Sequence, residues 1–406
     1  MRKITVDPSE DPVTSDLLFA LQLRAANEPL LPRLKSLHCD GATEAFIPLI
    51  PLLLSPQTVW IKVIFAKGSP AVMIASMIVR LPDLCPDLTR ITLDDLPREP
   101  LITEAVSEML LACNRDALQW FCVDSPLTEE ARQVVYQLPR LSNLWAIIQE
   151  HTLLPVVTLP NLNSIDIEYG DHLDWLQGFR GAALEKLESV VLSSESDQIG
   201  NFLEEFESVA LTTSVPATLS TFEFTTWRPW NPNYRSLLPF TQMVDLSIWP
   251  PCHRECSSRV DDNIITDLAR AMPKLEILGL GGEPCRTPTG VTVKGLITLA
   301  RGCRHLTNLR IHFQTASLAD AASSQVVPPP SENATTIRQQ DCALTDLDVG
   351  WTPILEGSQL AVALTLLQIF PHLNIKYMEG RWRAVSEDIE LSRRISAFVR
   401  CTGEAR

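Results

Sequence analysis

Apolar residues recur along this chain as short L-x-x-L-x-L triplets, each preceded by an apolar stripe at helical period. The clearest instance is VTVKGLITLARGCRHLTNLRIHF at 291–313, where an amphipathic helix leads through Cys303 to Leu306, Leu309 and Ile311. Nearly the same unit precedes it as DDNIITDLARAMPKLEILGL at 261–280, with Leu275, Leu278 and Leu280 in the matching places. Within a triplet the fourth and sixth residues share one side of a strand, because strand side chains alternate with period 2. The first Leu enters the same core from the turn before the strand. In the helical half, Ile264, Ile265, Leu268, Ala269 and Met272 make one stripe, as a helix with one buried wall requires. A single unit cannot bury these side chains alone, so neighbours must stack on a shared core.

The same pattern opens at Leu34, Thr58, Leu88, Leu118, Leu141, Leu162, Leu187, Leu219, Met243, Leu275, Leu306, Leu344 and Leu373, at steps of 21 to 38 residues. Most steps lie at or above the usual leucine-rich range of about 20–29. Proline stands two residues before the opening position at Pro32, Pro86, Pro139, Pro160, Pro273 and Pro371. It cannot continue a helix, so it separates the outer helix from the next strand. These regularities predict a right-handed α/β leucine-rich-repeat solenoid of about a dozen irregular helix-strand units with helical end caps.

The predicted layout has three parts. Residues 1–30 form an acidic segment and a capping helix, with Ser15 as N-cap and Leu18, Leu21 and Leu23 buried. Residues 31–376 form the solenoid. Residues 377–406 form a second capping helix, SEDIELSRRISAFVR, whose early acids and later arginines complement the helix dipole. Between the repeats, ITEAVSEMLLAC and QIGNFLEEFESVAL read as amphipathic helices, Thr128 as the N-cap of EEARQVVYQL, and TTWRPWNPNYRS as a loop. The stretch near 315–340 is small, polar and Pro-rich, and is expected to be a mobile loop.

A formal charge of −15 and a pI near 5.0 argue against nucleic acid or an anionic membrane as partner, since both need a basic surface. The start, MRKITVDPSEDPVTSD, has no apolar run, and no apolar window reaches the roughly 18 residues of a membrane span. A monomeric protein of the cytoplasm or nucleus is expected. Ten cysteines spread over 406 residues do not make a disulfide framework, and several occupy core positions, where a thiol acts as a small apolar group.

The residues between the core leucines, at offsets of two, four and six from each opening position, are expected on a concave wall. That wall collects Trp60, Lys62, Arg90, Asp94, Trp120, Asp124, Asn143, Trp145, Asp166, Glu168, Glu223, Asp245, Trp249, Asn308, Arg310, His312, Asp346 and Asp348. Trp and Arg dominate binding hot spots. Two readings of the tryptophans stand open: anchors for a protein partner, or bulk that irregular repeats pack as a second core. Asp166, Glu168, Glu223 and Asp245 would make an acidic middle flanked by Arg90 and Arg310, suited to a basic segment or simply solvated. Cys252-His253-Arg254-Glu255-Cys256 lacks the second ligand pair that structural zinc needs, and GLGGEPCRTPTG reads as a repeat turn. No G-x-S-x-G, H-E-x-x-H or EF-hand loop occurs. No enzyme, metal or cofactor is expected.

The units at 261–313 resemble the cysteine-containing leucine-rich repeat of F-box/leucine-rich-repeat proteins, which reads roughly I-T-D-x-G-L-x-x-L-A-x-x-C-P-x-L-x-x-L-x-L. Cys85 in CPDLTRITL and Cys303 in CRHLTNLRI take the Cys position, and Met272 replaces it in the adjoining unit. The divergent units elsewhere are similar to F-box-like proteins of mushroom-forming fungi. The resemblance is specific over 261–313 and loose from 31 to 376. It implies a protein-recognition module that presents a substrate to a Skp-cullin ubiquitin ligase, with a Skp adaptor as partner where an F-box exists. The Asn ladder of regular repeats is missing, and no L-P-x-E-[IL] segment precedes Leu34. That second departure keeps a stand-alone scaffold as the alternative.

Overall fold

A computed structural model of the chain describes residues 3–6, 29–148, 157–169, 174–195, 199–228, 230–250, 260–281, 290–324, 342–349, 352–376 and 381–403. It separates into two compact units, Met1–Ser193 with Val209–Val215, and Ser194–Ser208 with Pro216–Arg406. The first carries strands β1 (Lys3–Val6), β2 (Ser36–Ala42), β3 (Trp60–Phe65), β4 (Arg90–Asp94), β5 (Trp120–Pro126), β6 (Asn143–Ile148), β7 (Ser164–Tyr169) and β8 (Ser189–Ser194). The second carries β9 (Thr221–Thr226), β10 (Asp245–Trp249), β11 (Ile277–Leu280), β12 (Asn308–Ile311), β13 (Asp346–Asp348) and β14 (Asn374–Lys376). In each unit the strands lie side by side in sequence order, with parallel pairing from β1 to β7 and from β9 to β14.

Parallel neighbours need a crossover between them. Here the crossovers include helices α1 (Ala71–Val79), α2 (Pro100–Ala112), α3 (Glu129–Val135), α4 (Phe202–Ala210), α5 (Asp262–Ala271), α6 (Val293–Gly302), α7 (Thr315–Ser324) and α8 (Gln359–Ile369), while α9 (Arg381–Gly403) follows β14. Alternating strand and helix in this order, with an open sheet, is the α/β solenoid.

The expected register holds from β2 through β13. Each opening residue is at most 4% exposed, and each of these strands begins two residues later. The third and fifth residues after each opening, such as Ile91 and Leu93, Phe222 and Phe224, or Leu309 and Ile311, are buried. Each such side chain contributes roughly 1.5–3 kcal/mol. Thr58 can stand in for leucine because its hydroxyl donates to Leu34 O at 3.0 Å and accepts from Ser55 N at 3.2 Å. In the last repeat the register slips by one: Ile375, two residues after Leu373, is the buried strand residue. All six punctuating prolines lie in turns ahead of a strand.

The missing Asn ladder has a replacement in the main chain. The residue after each opening position sends its N–H to the carbonyl of its counterpart in the preceding repeat. In the first unit the series runs Val59 to Lys35, Thr89 to Val59, Gln119 to Thr89, Ser142 to Gln119, Asn163 to Ser142 and Glu188 to Asn163, at 2.7–2.9 Å. In the second it runs Val244 to Ser220, Glu276 to Val244, Thr307 to Glu276 and Thr345 to Thr307, at 2.7–3.0 Å. These turns thus keep their backbone polar groups paired without a dedicated side chain.

The helical readings over ITEAVSEMLLAC and QIGNFLEEFESVAL match the burial of Ile102, Val106, Met109, Leu110 and Cys113, and of Ile199, Phe202, Leu203, Phe206 and Val209. Thr128 caps α3, accepting from Ala131 N at 3.5 Å. Two findings differ from the sequence reading, and a third adds to it. Residues 3–6 form an edge strand beside β2. Thr315–Ser324 is helical rather than loop, because its alanines are the best helix formers and Leu318 is fully buried. In TTWRPWNPNYRS, Trp230 packs at 4.7 Å from Phe224, which stacks on Phe202 at 4.7 Å, giving the second unit an aromatic core. The predicted helix at Ser15–Leu23, the rest of the 315–340 stretch beyond Ser324 and the Cys252–Cys256 run lie outside the described residues.

Candidate protein-binding face

Alternation along the strands places every residue of the expected wall on the face opposite the core leucines. Each is half-buried except Arg90, which is exposed. The two units are taken separately.

On the first unit, pairing sets Ser36, Trp60, Arg90, Trp120, Asn143 and Ser164 in one row, and His38, Lys62, Thr92, Cys122, Trp145 and Asp166 in the next. Trp60 is held among cations: the Arg90 guanidinium lies 5.4 Å and the Lys3 ammonium 5.9 Å from its ring centroid, and the His38 ring meets it edge-on at 4.3 Å. Burial, Lys3 and Lys62 depress the His38 pKa against the pull of Asp40.

Toward the strand ends the character turns acidic. Burial raises the Asp94 pKa; Lys62 opposes the rise, while Asp124, Asp95 and Asp40 add to it. Burial and Glu168 raise that of Asp124, against Arg98 and a hydrogen bond from the Asp95 backbone N–H. The Cys122 thiol between them is pushed up to about 12 by burial, Asp94 and Asp166. Glu168 is ion-paired with Arg98 at 2.7 Å. Asp94 Oδ1 is buried without a hydrogen-bond partner, and the buried Trp120 indole N–H is directed at the Cys122 sulfur.

On the second unit, a file of contacts runs over five successive repeats. The Trp249 indole N–H donates to Glu223, and its ring lies over Gly279, where a Cβ would stand 2.4 Å from the indole. Beyond it, the Arg310 guanidinium sits 4.4 Å from the Trp249 ring centroid and pairs with Asp348 at 3.1 Å. His312 lies beside Gly281 and reaches Thr352 Oγ1 at 3.4 Å through Nδ1. Asp346 pairs with Lys376 at 3.2 Å. Burial and Asp245 raise the Glu223 pKa, and burial raises that of Asp245, whose carboxylate accepts from Ser247 at 3.0 Å.

The offset rule finds the strand residues and misses those that complete the surface. Arg98 enters from the turn after β4, Lys3 from the edge strand, and Gly279 matters by lacking a side chain. A glycine at a strand's outward offset was the available signal for the last; nothing local marked the other two.

Among the described residues, no group of acidic, His and Cys side chains could hold a metal ion, and no helix is long and apolar enough to cross a membrane. Fold and face together define a parallel α/β repeat protein of the leucine-rich type. No family model and no curated protein matches the chain. Among solved structures it is similar to the yeast Rad7 and Elc1 complex, at 15% identity and TM-score 0.38 over 80% of this chain and 63% of that one. It thus spans less than two thirds of that chain. It is also similar to a Bacteroides fragilis protein, at 14% identity and TM-score 0.32 over 87% of this chain and 75% of that one.

Proposed function

We propose that this protein is a recognition module whose outward strand face binds a protein partner, and that it serves as the substrate-binding part of an F-box-like ubiquitin-ligase adaptor. The observation that carries the binding half is the outward face of β3–β7, where Trp60, Trp120 and Trp145 stand half-exposed beside Arg90, Asp124, Asp166 and Glu168. Trp, Tyr and Arg side chains dominate the hot spots that supply most interface energy. Glu223, Asp245, Trp249, Arg310 and His312 would extend recognition on the second unit. The ligase half rests on the cysteine-type repeat at 261–313, in which Cys303 is buried and reaches Met272 O at 3.6 Å. A Skp adaptor is then the second partner.

The test is capture from the protein's own cell extract beside the Trp120→Ala/Trp145→Ala variant. Skp and cullin subunits with both forms, and a further protein lost with the variant, are expected. Absence of ligase subunits from both leaves a stand-alone scaffold. An unchanged partner set removes the binding face.

A further inference from the structure

The pairing of β3 to β7 sets small side chains among larger ones on the outward face of the first unit, which by side-chain size makes a shallow depression there. Its floor is Thr92 and Cys122, adjacent small side chains in register across β4 and β5. Trp120 precedes Cys122 on the same face of β5 and turns its buried indole N–H toward the Cys122 sulfur, and Trp145 stands directly opposite Cys122 on β6, so both tryptophans border the floor. Asp94 and Asp124, the next outward residues on β4 and β5, close its far end. Asp94 and Asp166 both act electrostatically on the Cys122 thiol, which places their carboxylates around the same spot.

Acidic residues outnumber basic ones there. Around the depression lie Asp94, Asp95, Asp124 and Asp166, with Lys62 and Arg98 as the cations that act on Asp94 and Asp124. Arg98 is already ion-paired with Glu168, and Arg90 is turned toward the Trp60 ring. Asp94 and Asp124 therefore remain undercompensated, and the carboxylate of Asp94 has one oxygen with no donor. Indole faces attract a cation through the ring quadrupole, and a guanidinium can stack on an indole while donating two parallel N–H bonds to a carboxylate. An ammonium ion offers the charge without the flat face or the fork.

We propose that this depression receives an arginine side chain from an extended basic segment of the protein partner, with its guanidinium between the Trp120 and Trp145 indoles and its N–H groups on Asp94 and Asp124. The proposal rests on the recognition function proposed above and names the chemistry it would read.

The test uses the full chain and three capped octapeptides, in which glycine alternates with arginine, lysine or glutamate, followed by titration calorimetry at two salt concentrations. The arginine peptide is expected to bind at least about 5-fold more tightly than the lysine peptide, and the glutamate peptide not at all. Trp120→Leu/Trp145→Leu should weaken the arginine peptide about 10-fold or more and erase the preference over lysine, because only the stacked guanidinium loses its platform. Asp124→Asn, which keeps the side-chain size and an oxygen that can accept from the Asp95 backbone N–H, should weaken it severalfold and flatten the salt dependence. Glu204→Gln, on the exposed side of α4 and away from the strand face, should leave binding unchanged, and a thermal unfolding scan of each variant separates lost binding from lost folding.

Equal affinity for arginine and lysine peptides, or an arginine affinity unmoved in folded Trp120→Leu/Trp145→Leu and Asp124→Asn proteins, overturns the proposal. The recognition function fails separately. If capture loses a partner with the Trp variant while the arginine peptide neither binds nor competes, the function stands and this inference does not. If the peptide binds as expected but no captured protein depends on the two tryptophans, the reverse holds.

Discussion

Several residues here matter through what they leave room for or leave uncompensated. Gly279 is one: the Trp249 indole occupies the space its side chain would fill, with a Cβ position 2.4 Å from one ring carbon and 2.6 Å from another. Gly279→Ala should therefore displace Trp249, break its contact with Arg310 and cost about 1–3 kcal/mol, as overpacking does. Chemical denaturation together with the tryptophan emission maximum checks this. Asp94 shows the second kind. Its carboxyl, like those of Asp124, Glu223 and Asp245, is pushed above the ordinary carboxylate value, chiefly by burial. A group raised in the folded state contributes stability that is present below its unfolded pKa and lost as pH rises through the folded value. Asp94→Asn should thus raise the unfolding midpoint at neutral pH, by less than about 1 kcal/mol for so partly exposed a charge. The gain should disappear by about pH 4, where the unfolded carboxylate itself protonates. Unfolding measured across that range decides it, and a gain persisting at acid pH would point to packing instead. A binding face that costs stability at neutral pH is what a site kept for a cationic partner would show.

At the scale of the element, the repeat is held by its leucines and its helix starts. Leu278 and Leu306 are fully buried, and replacement of either by Ala should cost roughly 2–5 kcal/mol, whereas Leu391→Ala on an exposed part of α9 should stay within about 0.5 kcal/mol. Equilibrium unfolding of the three variants makes the comparison. The two aspartates at the start of α5 divide the work. Asp261 caps its own helix, accepting from Ile264 N at 2.8 Å and Asn263 N at 3.0 Å. Asp262 reaches the next repeat, accepting from Thr292 N at 2.8 Å and from the Thr292 hydroxyl. Thr292 in turn caps α6, accepting from Lys294 N at 3.2 Å. Asp261→Ala should cost about 1 kcal/mol, the usual value of a helix cap. Asp262→Ala should cost more, because it leaves a neighbouring backbone donor without its acceptor. Helix periods, caps and opening positions were all legible locally. The helix at Thr315–Ser324 was not, because its small residues look like a linker until Leu318 finds its place in the core. Nor was the role of TTWRPWNPNYRS, where Trp230 contributes to an aromatic core assembled from Phe202 and Phe224, about thirty and six residues upstream.

For the whole molecule, the balance of 34 basic against 49 acidic residues, −15 overall, implies self-repulsion that added salt should relieve. The unfolding midpoint should rise between about 10 mM and 300 mM sodium chloride, where the screening length falls to several ångströms. A falling midpoint would mean that ion pairs such as Arg310–Asp348 and Arg98–Glu168 outweigh the net charge. The sequence by itself determined the solenoid, its register from β2 through β13 and which residues of those strands face outward. Those properties follow from period-2 and period-3.6 alternation repeated at each step, and alternation is a local property of the chain. Tertiary structure decided how the outward residues combine. Trp60 acquires Lys3 and Arg90, Trp249 acquires Gly279 and Arg310, and Asp94 meets Asp124 and Asp166 around one small floor. Each of these meetings joins residues some thirty or more positions apart, across parallel strands whose spacing of about 4.8 Å brings side chains of successive repeats into contact. The offset rule could say that such residues share a face. Only the stacked repeats could say which charge is paired, which is left over and which indole has a cation on it.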